Sequence, residues 1–120
     1  MWDASGLGTG TGKTITGIGF TPKALVVLSH AATSATGSVQ STGYCYYNGA
    51  TYVQGYHASG ITTAPAGRTI ASATQAFGST TQATTQFVGA VTGFSSDTVT
   101  VNITTNAANT YCQFNVLIFA

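Results

Sequence analysis

The chain has 120 residues, of which 43% are hydrophobic and 4% charged, and its net charge is +1. That length holds one domain with a sizeable core, and the hydrophobic share excludes disorder for want of core material. Charge far below the ~25% of an ordinary domain leaves a surface of Thr, Ser, Asn, Gln, Gly and Ala, and three dispersed basic side chains exclude a basic nucleic-acid patch.

Gly6 to Thr14 reads GLGTGTGKT, and its Gly-Lys-Thr ending is that of a phosphate-binding P-loop. The spacing fails: the motif needs a Gly five positions before Gly12, and Leu7 stands there. The residues that follow, Ile15-Thr16-Gly17-Ile18-Gly19, do not start the helix that a P-loop requires. Residues 1–12 are expected instead to form a Gly-rich arm, with residues 13–120 as the domain. Trp2 is the large anchor of the arm. It is expected to bury itself against a neighbouring subunit or to fold back on its own domain, and Trp2, Asp3 and Leu7 are the candidate partner contacts.

Helix periodicity is absent, and strands follow from alternation and turn residues. Lys13 to Ile18 is a first short strand, broken at Phe20-Thr21-Pro22. Lys23 to Ser29 (KALVVLS) is a continuous apolar run, the pattern of a strand buried on both faces. A polar loop to about Gln40 follows. Gly43 to Tyr47 and Thr51 to Tyr56 form a hairpin about Asn48-Gly49-Ala50.

A loop with Gly60 and Pro65 leads to a weaker strand, Arg68 to Ala73, and residues 74–84 carry no assignment. Thr85 to Val91, Thr98 to Thr104 and Thr110 to Phe119 complete the set, with Thr92 to Asp97 and Asn106 to Asn109 between them. In the last strand Cys112, Phe114, Val116 and Ile118 share one face, which predicts core. About eight short strands predict an all-β, two-sheet sandwich, jelly-roll-like in plan.

Chemistry has few candidates. Asp3 and Asp97 are the only carboxylates, one in the arm and one in a turn, and they make a poor acid–base pair. His30 and His57 each end a strand and belong to no Gly-x-Ser-x-Gly or zinc-type spacing. Cys45 and Cys112 read as buried small hydrophobes before a disulfide. No catalytic, metal or cofactor residue is expected, and the chain reads as non-enzymatic. No apolar run reaches the ~18 residues of a membrane span, and the N-terminus lacks a signal-peptide pattern, so the expected site of synthesis is a cytoplasm.

Two binding readings remain at this point. Tyr44, Tyr46, Tyr47, Tyr52 and Tyr56 make the hairpin aromatic-rich, and exposed tyrosines stack on sugars or bury in protein partners. Alternation splits them between two faces, so some belong to the core. Thr14-Ile15-Thr16 and Thr98-Val99-Thr100 suggest ice binding, but they lack the fixed period of a flat solenoid face.

The run from Thr14 to Leu28, with its Gly-x-Gly-Phe-x-Pro-Lys-Ala core at Gly17 to Ala24, resembles a motif of tailed-bacteriophage structural proteins. Gly89 to Ile103 (GAVTGFSSDTVTVNI) is similar to their late turn and strand, and Tyr111 to Ile118 to their closing strand. The resemblance implies a virion component made in the host cytoplasm. Its form would be a capsid decoration or cement protein on the outer shell, in contact with the major capsid protein and with copies of itself as a homotrimer. The alternative it implies is a tail-fibre or tail-tip module that binds a receptor or glycan through Tyr44, Tyr46, Tyr52 and Tyr56. A cellular adhesin of similar fold is a third reading, weakened by the missing secretion signal. No nucleic-acid or membrane partner is implied.

Overall fold

The computed structural model describes residues 1–4, 6–30, 37–62, 68–80, 85–107 and 113–120. Cys112, Tyr111 and the Pro65 loop, for which the sequence carried expectations, lie outside the described residues.

Ten strands run in chain order: β1 (Trp2–Asp3), β2 (Gly10–Thr16), β3 (Ala24–His30), β4 (Gly37–Tyr47), β5 (Tyr52–Thr62), β6 (Arg68–Ser72), β7 (Phe77–Thr80), β8 (Thr85–Ser95), β9 (Thr98–Asn106) and β10 (Gln113–Phe119). They form a six-stranded sheet, β1-β10-β3-β4-β5-β6, and a four-stranded sheet, β2-β9-β8-β7. Every pairing is antiparallel. The β-sandwich expected from alternation is the fold. Its order is that of two meanders, β3 to β6 and β7 to β9, with β2 and β10 each added to the edge of one of them.

The core lies between the sheets. Leu25 and Val27 of β3, Cys45 of β4 and Phe114 of β10 face Phe77, Phe87, Val91, Val99, Val101 and Ile103 of the smaller sheet. Trp2 completes it, 7% exposed, with its ring 5.1 Å from Phe77, 6.1 Å from Phe87 and 6.0 Å from Phe114. Residues 1–12 are therefore not a free arm. Of the two dispositions open to Trp2, the structure has the fold back on its own domain, and this indole is not available to a neighbour.

The same segment is held by polar contacts as well. Asp3 accepts from Gln113 Nε2 at 3.3 Å, and Asn106 Nδ2 donates to the Ala4 and Leu7 carbonyls at 3.3 and 2.6 Å. Leu7 packs half-buried on the core. The GTGKT ending of the P-loop-like stretch belongs to β2, an edge strand paired with β9, with an irregularity between Gly10 and Lys13. No helix follows it.

Three further differences from the sequence reading have local causes. β7 occupies part of the unassigned segment and is wholly buried. Gly78 makes room for it, since a Cβ there would stand 2.1 Å from the Tyr56 ring. β8 continues through Thr92-Gly93-Phe94-Ser95, which alternation read as a turn, because register shifts near Val88 and Val91 absorb its glycines. Gly43 sits where the chain entering β7 crosses the larger sheet, and a Cβ there would meet the Ala76 carbonyl oxygen at 1.9 Å.

Two of the three segments that carry the phage resemblance meet in space. Asp97, at φ 64°, accepts a hydrogen bond from the Gly19 N–H through Oδ1, and its own N–H donates to the Phe20 carbonyl at 3.2 Å. Gly19 holds φ 82°, a conformation that a side chain resists. The carboxylate thus fastens the β2–β3 turn to the β8–β9 turn, which is a structural use of the residue.

Candidate functional site

The outer face of the six-stranded sheet differs from what its strands predicted. The apolar run of β3 has Leu25 and Val27 in the core, while Leu28 is exposed and Val26 half-buried. Burial on both faces is thus not what the structure has, because a sandwich has only two layers and nothing among the described residues covers this side.

Cross-strand register shows how the face is built, since antiparallel partners point to the same side. One row runs Leu117–Val26–Tyr44–Gly55, the next Phe119–Ala24–Tyr46–Val53, and the third Asn115–Leu28–Thr42–His57. Leu28, Tyr44, Tyr46, Leu117 and Phe119 are each between 44% and 54% exposed. Together they leave on the order of 450 Å² of largely apolar surface on β10, β3 and β4, which is as large as the largest patch of a typical monomer. No Lys, Arg, Asp or Glu stands in these rows.

The tyrosine hairpin separates into three uses. Tyr44 and Tyr46 are on the open face, and the Tyr44 ring lies over Gly55, where a Cβ would stand 3.1 Å from it. Tyr56 points inward, is buried, and has its hydroxyl pKa raised by desolvation. Tyr52 stacks 5.1 Å from Tyr47 and 5.3 Å from Phe94, and its hydroxyl accepts the Phe94 N–H at 3.0 Å. The four tyrosines named from sequence as one surface site are therefore not brought together: only Tyr44 and Tyr46 present their rings on that face.

Gln54, also on β5, has a role no sequence signal announced. Val91 lies past Gly89, the last β8 residue paired with β7, so its backbone groups on that side lack a strand partner. Gln54, buried, supplies one across the sandwich: Oε1 accepts the Val91 N–H at 2.8 Å and Nε2 donates to the Val91 carbonyl at 3.1 Å. A side-chain amide carries the same donor and acceptor as a peptide group. Gln54 and Tyr52 together continue the smaller sheet where β7 stops.

Beside Tyr44 lies a shallow hollow of about 310 Å³, bordered by Thr42, Gly55, His57 and Ser72. His57 stands on β5, whereas Asp97 lies in the β8–β9 turn with its carboxylate engaged by the Gly19 N–H. Cys45 is a free, buried thiol, its pKa pushed up to about 12 by desolvation, which makes it a poor nucleophile. Among the described residues no three His, Cys, Asp or Glu side chains gather into a cation site. No family model, curated protein or solved structure matches the chain.

Proposed function

We propose that this chain is a non-enzymatic structural protein of a virion, a capsid decoration or cement protein that binds the outer shell through the exposed face of its six-stranded sheet. One observation carries the reading: an uncharged face of Leu28, Tyr44, Tyr46, Leu117 and Phe119 left open in a chain with so few charges. Covering ~450 Å² of apolar surface at ~25 cal/mol per Å² returns about 10 kcal/mol before the costs of association. The motif resemblance supplies the context, and the partner the face calls for is an apolar, uncharged area of the major capsid protein.

Quantitative mass spectrometry of particles purified from the culture that makes this chain tests the reading. A decoration protein is expected near or above about one copy per three capsid subunits. A handful of copies per particle would favour a tail module, and complete absence would end the virion reading. The hollow beside Tyr44 favours the second reading, a receptor- or glycan-binding module, because an aromatic ring flanked by hydroxyl and imidazole groups suits a sugar. Glycan binding by the isolated chain that Tyr44→Ala abolishes would establish it.

A further inference from the structure

Each sheet has two edges, and three of the four are protected against strand addition. β7 is short and entirely buried. β6 begins with a charged residue, Arg68. β2 combines a register irregularity between Gly10 and Lys13 with a lysine in register with the buried Val101, so that a charge stands on the inner side of the edge. Bulges, short strands and inward charges are the devices by which sheets avoid pairing with other chains.

The fourth edge is closed by the two-residue β1 over part of its length, and beyond β1 the described residues show none of these devices. β1 covers β10 only at Gln113 and Phe114. From Asn115 to Phe119 the strand reads Asn-Val-Leu-Ile-Phe, without charge, proline, glycine or bulge, and its pairing to β3 is regular. Every second residue of such a stretch turns its N–H and C=O to the unpaired side. Alongside runs a cleft of about 310 Å³, bordered among others by Thr16 and Gly17 and by Met1, Phe20, Val116 and Ile118. Met1 and Phe20, two large exposed side chains, stand at this cleft.

We infer that β10 is a strand-addition site for a second copy of the chain, pairing antiparallel with the second copy's β10 about a twofold axis near Leu117. The self-pairing is chemically consistent. Leu117 meets Leu117, Asn115 meets Phe119 and Val116 meets Ile118, with no charge to repel and a net charge of only +1 between copies. The two six-stranded sheets become one continuous sheet, and the apolar faces join into a single surface. Met1, Phe20, Leu117 and Phe119 offer roughly 400 Å² per copy, about half of a standard interface side. An interface of that size belongs to the weak, transient class, and a weak dimer is expected. A twofold pair is what this edge gives, and the homotrimer implied by the resemblance would need a different contact.

Analytical ultracentrifugation of the whole chain from about 1 to 500 μM tests the inference. A monomer–dimer equilibrium is expected, weakened at least about tenfold by either Leu117→Lys or Leu117→Glu and restored when the two variants are mixed. Tyr44→Lys, on the same face but two strands from the edge, is expected to leave it unchanged. A chain that stays monomeric throughout, a trimer, or a dimer lost equally with Tyr44→Lys would overturn the proposal. Should the Leu117 variants not fold, hydrogen exchange on the unaltered chain decides. The amides within 115–119 that face the unpaired side gain protection with concentration if the edge pairs, and no gain there contradicts it. The inference stands apart from the particle reading, since it concerns the free chain and uses none of the substitutions that test shell binding.

Discussion

The outward sides of the two sheets are made of different chemistry. On the smaller sheet β9 alternates strictly: Val99, Val101 and Ile103 are buried, and Thr98, Thr100, Asn102 and Thr104 face out. Thr14 and Thr16 of β2 extend the same polar side in register with Thr100 and Thr98. On the larger sheet the outward positions include Val26 and Leu28, Tyr44 and Tyr46, Leu117 and Phe119, with Asn115, Thr42 and His57 in one row beside them. Both sheets put comparable apolar side chains into the core, so the fold does not need this second apolar layer. A strand apolar on both sides in a two-layer fold is half explained by its own domain, and the other half points to a partner.

If that division is right, inward substitutions should unfold the chain and outward ones should not. The largest effect is expected for Trp2→Ala, which empties the centre of the Phe77–Phe87–Phe114 cluster and should cost about 3–5 kcal/mol in chemical denaturation. Deletion of residues 1–12, which the arm reading expects to leave a folded domain, should for the same reason give an unfolded chain. Gln54→Leu comes next, about 2–3 kcal/mol, because the Val91 N–H and C=O are left buried without partners.

Alkaline pH gives a smaller, graded effect. Burial lifts Cys45 from 9.0 to about 12, so the unfolded chain releases the thiol proton before the folded one does. The stability tied to this group is whole below about pH 9 and falls as pH rises toward 12. Cys45→Ala should flatten that fall in urea titrations at successive pH values. Tyr56, also raised, keeps a residual slope of the same sign.

The smallest effects sharpen the comparison most. Leu28→Thr and Tyr46→Thr, which give the larger sheet the outward chemistry of the smaller one, should change the midpoint of unfolding by no more than about 0.5 kcal/mol. They should also raise solubility.

Much of this was legible in the chain. Alternation in the last strand set Phe114, Val116 and Ile118 on one inward face, where Phe114 is core and the other two pack partly buried against it, and Asn48-Gly49 placed the hairpin. There Asn48 Oδ1 accepts the Ala50 and Thr51 N–H groups at 3.0 and 2.8 Å, and Gly49 holds φ 96°. β1 was not legible, because two residues carry no period and its strand exists through the burial of Trp2. Neither was β7: Phe-Gly-Ser-Thr has no strand signature and depends on the Tyr56 ring seated over Gly78. The Gln54–Val91 pair joins positions 37 apart, beyond any local pattern. The candidate face was visible only as an ambiguity, since the run Ala24 to Leu28 suits a strand covered by its own domain as well as one covered by another molecule.

The most direct test compares the two outward sides in one experiment, by mass spectrometry of particles assembled with Tyr46→Lys or with Thr100→Lys. Loss of the Tyr46→Lys chain from particles, with Thr100→Lys incorporated at the level of the unaltered chain, is the predicted result. Equal incorporation of both, or loss of Thr100→Lys alone, would contradict the assignment of the docking face to the six-stranded sheet.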